Sequence, residues 1–252
     1  MPLSKITTAS LSTAAATSNV SVDNGTLFVD VTNNRVGLNG NQSPLAPLDI
    51  YGDTGTYAGM GKIFLTDNAA DSGSRNWAIG NGGTAYGNFS IYVSNAKGGN
   101  PINDSGSAGN AVFYIDSTGR ATKPYHPFAY VARNAGNVTG ANVMIYNNVT
   151  NNVGNVYNSS NGRFTAPIAG RYLFTFQTLS VGSTEFWARV RLNSSGFYFT
   201  SYSAGITKSY ANECGSAVIQ LSAGDYLDLF IDRGTGYGND NTQCNASFYF
   251  LG

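Results

Sequence analysis

The residues of this 252-residue chain that could carry out chemistry are few. Hydrolysis of a glycosidic bond needs two carboxylates about 5–10 Å apart, one of them raised in pKa. Glutamate occurs only as Glu185 and Glu213, and both are expected in loops. Asp225, Asp228 and Asp232 share one strand-like segment. Asp225 and Asp228 differ by three positions, so on a strand they point to opposite faces. They are expected as a turn aspartate and a solvent-facing strand residue. His126 lies between Tyr125 and Pro127 with no cysteine or Ser-Asp partner near it in sequence, and is expected to pack rather than to act as base or ligand. The glycine runs "GNGG" and "AKGGN" lack the following Lys-Ser/Thr and the strand-to-helix setting of phosphate loops, so they are turns. No catalytic residue and no cofactor is expected, and the chain is not expected to be an enzyme. Cys214 and Cys244 each precede a late strand, and if those strands run in the same direction both thiols lie at one end of the fold. A disulfide and two free thiols are both open.

The elements that would hold these residues are strands. Charged side chains make up 11% of the chain, under half the usual share, whereas Gly (31), Tyr (16) and Phe (14) are plentiful. Short strands joined by tight turns favour this composition and helices do not, so the chain reads as all-β. Fourteen basic and fourteen acidic side chains cancel, and no basic stripe of the kind nucleic acid or an anionic membrane would require is present. No apolar run nears the roughly 20 residues of a membrane span. Neither nucleic-acid binding nor membrane insertion is expected. The first residues, "MPLSKITTASLSTAAATSNV", have no apolar core of a secretory signal. An extracellular-looking surface without such a signal suits a virion protein made in the host cytoplasm.

Three segments are expected. Residues 1–25, small and polar, form an N-terminal attachment segment that would order on other virion proteins. Residues 26–122 form a smaller β-rich shaft or neck. Within it, "LFVDVTNNRVG" gives a hairpin turning at Asn33-Asn34, and "VFYIDSTGRAT" echoes it, with Asp116, Thr118 and Arg120 in the places of Asp30, Thr32 and Arg35. Between them Phe89, Ile91 and Val93 alternate with Ser90, Tyr92 and Ser94, the pattern of a half-buried strand. Residues 123–252 form a head whose strands recur every 10–15 residues, the rhythm of a β-sandwich or jelly roll. In "GRFTAPIAGRYLFTF" Pro167 cannot lie inside a central strand and Gly170 permits a sharp turn, so "APIAG" joins two strands. Tyr172, Phe174 and Phe176 then share one face of the second strand, and with Phe164, Phe248 and Phe250 they form the expected core.

The ordered set "PFAYVAR", "VMIYNNVTNNVGNVYNSSNGRFTAPIAGRYLFTF", "SAVIQLSAGDYLDLFI" and "SFYFLG" resembles the globular-head domain of the first complement component, a relative of the tumour necrosis factor jelly roll. Phe128, Asn147, Tyr157, Gly162, Phe164, Pro167, Gly170, Tyr172, Phe174, Leu221, Gly224, Asp225 and Phe248 to Leu251 carry the likeness, over about residues 124–252. The resemblance implies a ten-strand jelly roll assembled as a tight, parallel trimer. It also implies that Asp225 and Asp228 are weak candidates for calcium, as some members bind it near the trimer axis. In the N-terminal half, Phe28, Asp30, Arg35, Val36, Gly37, Ser43, Pro44, Leu48, Asp49 and Gly52 are similar to a repeat of bacteriophage tail fibres, although "VGLNG" departs from its usual Gly-Ile-Gly. A trimeric shaft and a trimeric head share one symmetry. The function expected from this is a homotrimeric phage fibre whose head binds a host surface glycan or protein through loops at its far end. The alternative is a capsid decoration or head fibre with a mainly structural role.

Overall fold

The computed structural model describes residues 19–22, 26–52, 61–82, 85–102, 111–182 and 184–252. Every regular element among the described residues is a strand. The chain divides into two compact units, Met1–Pro124 and Tyr125–Gly252. The expected attachment segment, residues 1–25, lies outside the described residues except at positions 19–22.

Among the described residues the first unit holds two sheets. One contains β1 (Val20–Val22), β2 (Leu27–Asp30), β3 (Arg35–Leu38) and β4 (Leu48–Ile50) in that order, with β4 parallel to β3. The other is a meander of β5 (Lys62–Leu65), β6 (Trp77–Asn81), β7 (Phe89–Val93), β8 (Ala111–Ile115) and β9 (Ala121–Thr122). The two echoing hairpins share one device, an aspartate that satisfies the backbone of its own turn. Asp30 accepts from the backbone N–H groups of Thr32 and Asn33 and from the Asn33 side chain, and Asn34 takes the left-handed conformation at φ 54°. Asp116 accepts from the Thr118 N–H and hydroxyl and from the Arg120 N–H and guanidinium. The strand β7 is half-buried as its alternation implies, and its polar side is the buried one. Ser90, Tyr92 and the following Ser94 are buried, with Ala78, Ile102 and Ala111 around Tyr92, while Phe89, Ile91 and Val93 are turned outward.

The second unit runs β10 (Phe128–Ala132), β11 (Val138–Thr139), β12 (Asn142–Val143), β13 (Asn148–Val153), β14 (Tyr157–Asn158), β15 (Arg163–Thr165), β16 (Gly170–Val181), β17 (Glu185–Leu192), β18 (Gly196–Ala204), β19 (Tyr210–Leu221), β20 (Tyr226–Arg233), β21 (Thr235–Gly236) and β22 (Asn245–Phe250). Its first sheet places β13, β10, β22, β16 and β19 side by side, with β21 and β11 continuing past the end of β16. Its second sheet has the order β14, β15, β20, β17, β18, with β12 against β20. The strand β13 has no counterpart in the sequence expectations, because "NVTNNV" is polar and its residues are mostly exposed.

The core lies between these sheets, as sandwich packing requires. Phe164 of β15 meets Phe174 edge-on at 5.1 Å and Phe248 at 5.8 Å, and Tyr172 stacks on Phe248 at 4.6 Å. Phe164, Tyr172, Phe174, Phe176 and Phe248 are buried, whereas Phe250 at the rim is partly buried against Tyr172. The connection "APIAG" works as a joint between sheets. Ala166 exchanges backbone hydrogen bonds with Asp225 and Gly224, and the Tyr172 hydroxyl donates to Ile168 O at 2.7 Å. At Gly170 a Cβ would come within 2.5 Å of the Phe250 ring, so the close approach of the last strand, as well as the turn, requires glycine there.

Candidate functional site

The residues with hydrolytic potential do not form a site. Glu185 and Glu213 are in strands, not loops: Glu185 opens β17 and pairs with Arg233, and Glu213 is buried in β19, accepting from Ser201 Oγ at 2.7 Å. Asp225 accepts from Ser222 N–H and the Asn193 amide, which hold its carboxyl below the usual carboxylate range. Asp228 is buried and faces the guanidinium of Arg191 in a two-point pair of 2.7 and 2.9 Å. Both candidate calcium ligands thus have protein partners, and among the described residues no group of three His, Cys, Asp or Glu side chains converges. His126 packs between the rings of Tyr249 and Phe250 and donates to Phe250 O.

The cysteines are free. Gln177 of β16 is paired with Cys214 on one side and with Asn245, the neighbour of Cys244, on the other. Two strand spacings separate them, about 10 Å, beyond the ~7 Å limit of a bridge. Cys214 is moreover exposed, whereas Cys244 is buried beside Met144, and burial pushes its thiol up to about 11.

What remains are the two outer faces of the sandwich, and they differ in kind. On the first sheet the register aligns Val153, Phe128, Tyr249, Leu173 and Val218 in one row across β13, β10, β22, β16 and β19. None is fully buried, and Val218 is 59% exposed. The next row, Tyr130, Ser247, Thr175 and Ser216, carries no charge either. These two rows are uncharged and partly aromatic, with exposed Arg171 and Gln220 in the row beyond, and an apolar stretch of this kind open to water suits a contact surface.

On the second sheet the outward face is an alternation of arginine, aromatic and carboxylate groups. Arg191 lies 3.9 Å above Phe230 while it pairs with Asp228, and Arg163 lies 4.0 Å above Tyr226. Arg189 pairs with Asp232 at 2.9 Å and stands between Trp187, at 3.7 Å, and Phe197, at 4.5 Å. Tyr202 meets Trp187 edge-on, and Phe197 and Tyr202 are each 55% exposed. Trp187 Nε1 and Arg189 Nε have no hydrogen-bond acceptor and are screened from solvent. The open rings of Phe197 and Tyr202, beside Trp187 and Arg189, suit stacking against a sugar face or an apolar peptide side chain. The sequence signal for this face is "EFWARVRL", whose alternate positions Trp187, Arg189 and Arg191 cannot all be core.

Residues 128–251 match the C1q domain family. This unit is a C1q domain. The C1q domain accounts for the jelly-roll sandwich of the second unit, and C1q/TNF-like domains are non-catalytic binding domains that typically form homotrimers. Among known proteins the chain is similar to Complement C1q tumor necrosis factor-related protein 3 of Homo sapiens, 28% identical over 96 residues, 38% of this chain and 39% of the relative. It is likewise similar to Caprin-2 of Danio rerio, 29% identical over 101 residues, 40% of this chain and 11% of that protein. The match therefore spans well under half the length of either relative. Among solved structures it is similar to the globular domain of zebrafish complement 1qA, at 17% identity and a TM-score of 0.43, covering 50% of this chain and 98% of that one. Eiger TNF from S. frugiperda is similar at 11% identity and a TM-score of 0.44, covering 50% and 93%.

Proposed function

We propose that the chain is a homotrimeric, non-enzymatic attachment protein of a phage virion, with the C1q domain as its host-binding head. The observation that carries the trimer is the uncharged row Val153–Phe128–Tyr249–Leu173–Val218 crossing five strands. Covering it with other copies removes large apolar side chains from water, and permanent interfaces of this kind bury on the order of 2,000 Å² or more. The Trp187–Arg189–Phe197–Tyr202 face, with the open rings of Phe197 and Tyr202, is the surface offered to a host glycan or protein. The fibre assignment draws on the residue pattern of positions 28–52, and residues 1–25 would dock on the particle.

Light scattering of the full chain tests the assembly. Three copies of 26.5 kDa are expected at micromolar concentration, and Val218→Asp should release folded single chains. A folded wild-type monomer would overturn it. Adsorption competition tests the role: Trp187→Ala and Arg189→Ala trimers should lose binding to host cells, and a chain lacking residues 1–25 should bind cells yet fail to enter particles. If virions without the protein adsorb normally, the head is a capsid decoration.

A further inference from the structure

The β5–β9 sheet of the first unit has its polarity reversed. Direct register pairs place Ile63, Ile79, Ile91 and Phe113 in one row, Leu65, Trp77 and Val93 in the next, and Phe89 with Ile115 in a third, all on the same face. None of these nine side chains is buried, and Ile63, Leu65, Trp77 and Phe89 are 40 to 52% exposed. The positions that complete the face, Asn81 and Ala121, add no charge. The opposite face holds the buried Ala78, Ser90, Tyr92 and Ala111, with Tyr114 packed against them and Lys62 and the open Phe64 at its β5 edge. Burying serines while leaving isoleucine, tryptophan and phenylalanine in water runs against the transfer free energies of every group involved. Four large side chains open to this extent, with five more partly open, match or exceed the ~300–600 Å² patch that on a monomer marks a contact surface.

We infer that this face packs against the same face of two further copies of the chain, forming an apolar three-sided core around the symmetry axis of the trimer. The inference rests on the trimeric reading of the C1q domain. Only Lys123 to Pro127 lie between β9 and the first strand of that domain, and five residues reach at most ~18 Å. Three heads held together therefore hold three of these sheets within a short tether, which raises their effective concentration to the millimolar range. A shared axis also explains the absence of charge: like groups related by three-fold symmetry would repel one another.

The test uses the full chain with Cys214→Ser, which leaves only the buried Cys244. Ile79→Cys and Ile91→Cys are placed on the apolar face and Phe64→Cys on the opposite one, where Phe64 is also open. Each is treated with a short bis-maleimide and its mass is measured by light scattering. Trimers in which the Ile79 or Ile91 cysteine links a majority of chains covalently, with Phe64 linking few, support the inference. Trimers in which neither links above the Phe64 level overturn it while leaving the head assembly standing. A monomeric or dimeric chain overturns both. Ile91→Asp gives a second readout: if it leaves the trimer's thermal unfolding unchanged, the face is not an interface.

Discussion

The strands β16 and β7 have the same alternation and opposite fates. In β16 the aromatic side, Tyr172, Phe174 and Phe176, is buried against a second sheet of the same chain. In β7 the apolar side, Phe89, Ile91 and Val93, is outside, and serines with one tyrosine are inside. Alternation tells which residues share a face but not what covers it. The C1q domain completes its core within one chain, whereas the β5–β9 sheet leaves an apolar face unburied by the described residues.

The largest expected effect strikes the self-sufficient core. Phe174→Ala removes a ring held edge-on by Phe164 and should destabilise the second unit by roughly 3–5 kcal/mol, from lost transfer energy and the cavity left behind. Calorimetry should show its transition falling by many degrees. A shift of one or two degrees would mean that β16 is no more a core strand than β7, and the contrast would disappear.

Next comes the buried ion pair. Asp228→Ala leaves the Arg191 guanidinium stacked on Phe230 with no carboxylate. A cost of roughly 3 kcal/mol is expected, the low end for a broken buried pair, since Arg191 retains some contact with water. Denaturant unfolding of the single variants and of Asp228→Ala with Arg191→Met would separate the penalty of the stranded charge from the worth of the pair. An Asp228→Ala variant as stable as wild type would show the outer face to be ordinary surface.

Tyr157→Phe should cost less, about 1–3 kcal/mol. Its hydroxyl donates to Tyr146 O and accepts from Tyr146 N–H, completing a backbone segment that belongs to no strand. Burial pushes the Tyr157 phenol up to about 12 and the Tyr146 phenol higher than its ordinary range. The fold prefers the neutral phenols, so this contribution is whole below about pH 10, the ordinary tyrosine value, and is lost as pH rises through the folded values. Alkaline unfolding monitored by phenolate absorbance should therefore set in above pH 10 and begin earlier in destabilised variants. Two tyrosines ionising at pH 10 in the native protein would contradict it.

The elements legible in the sequence are those whose pattern is settled by residues close in the chain. The hairpins at Asp30 and Asp116, the Pro167–Gly170 joint and the aromatic side of β16 each follow from turn chemistry or strict alternation. What escaped depends on partners far away in sequence. The strand β13 is polar because it lies at the edge of its sheet beside β10. The cysteines were separated by β16, a strand that neither belongs to. Glu213 resembled a loop residue because no local signal announces that Ser201 of β18 will meet it. The arginine–aromatic face was equally invisible, since Asp228 and Asp232 reach Arg191 and Arg189 only when β20 pairs with β17.

The smallest effect bears on the feature that both units share, the aspartate turn. In the first unit the Thr118 hydroxyl, the Arg120 N–H and the Arg120 guanidinium hold the Asp116 carboxyl well below the usual range, and the Asn33 side chain lowers Asp30. In the second, Asn193 lowers Asp225 and Thr242 lowers Asp240. A depressed folded pKa means stability that is present above the ordinary carboxylate value near 3.9 and is lost as pH falls through the folded value. Asp116→Asn should therefore melt slightly below wild type at pH 6, with the gap narrowing as pH falls below 4 and the wild-type carboxylate takes up its proton. Melting curves from pH 7 to pH 2.5 measure this directly. A gap that stays constant over that range would assign the turn to hydrogen-bond geometry alone, and the carboxylate charge would then play no part in either unit's hairpins.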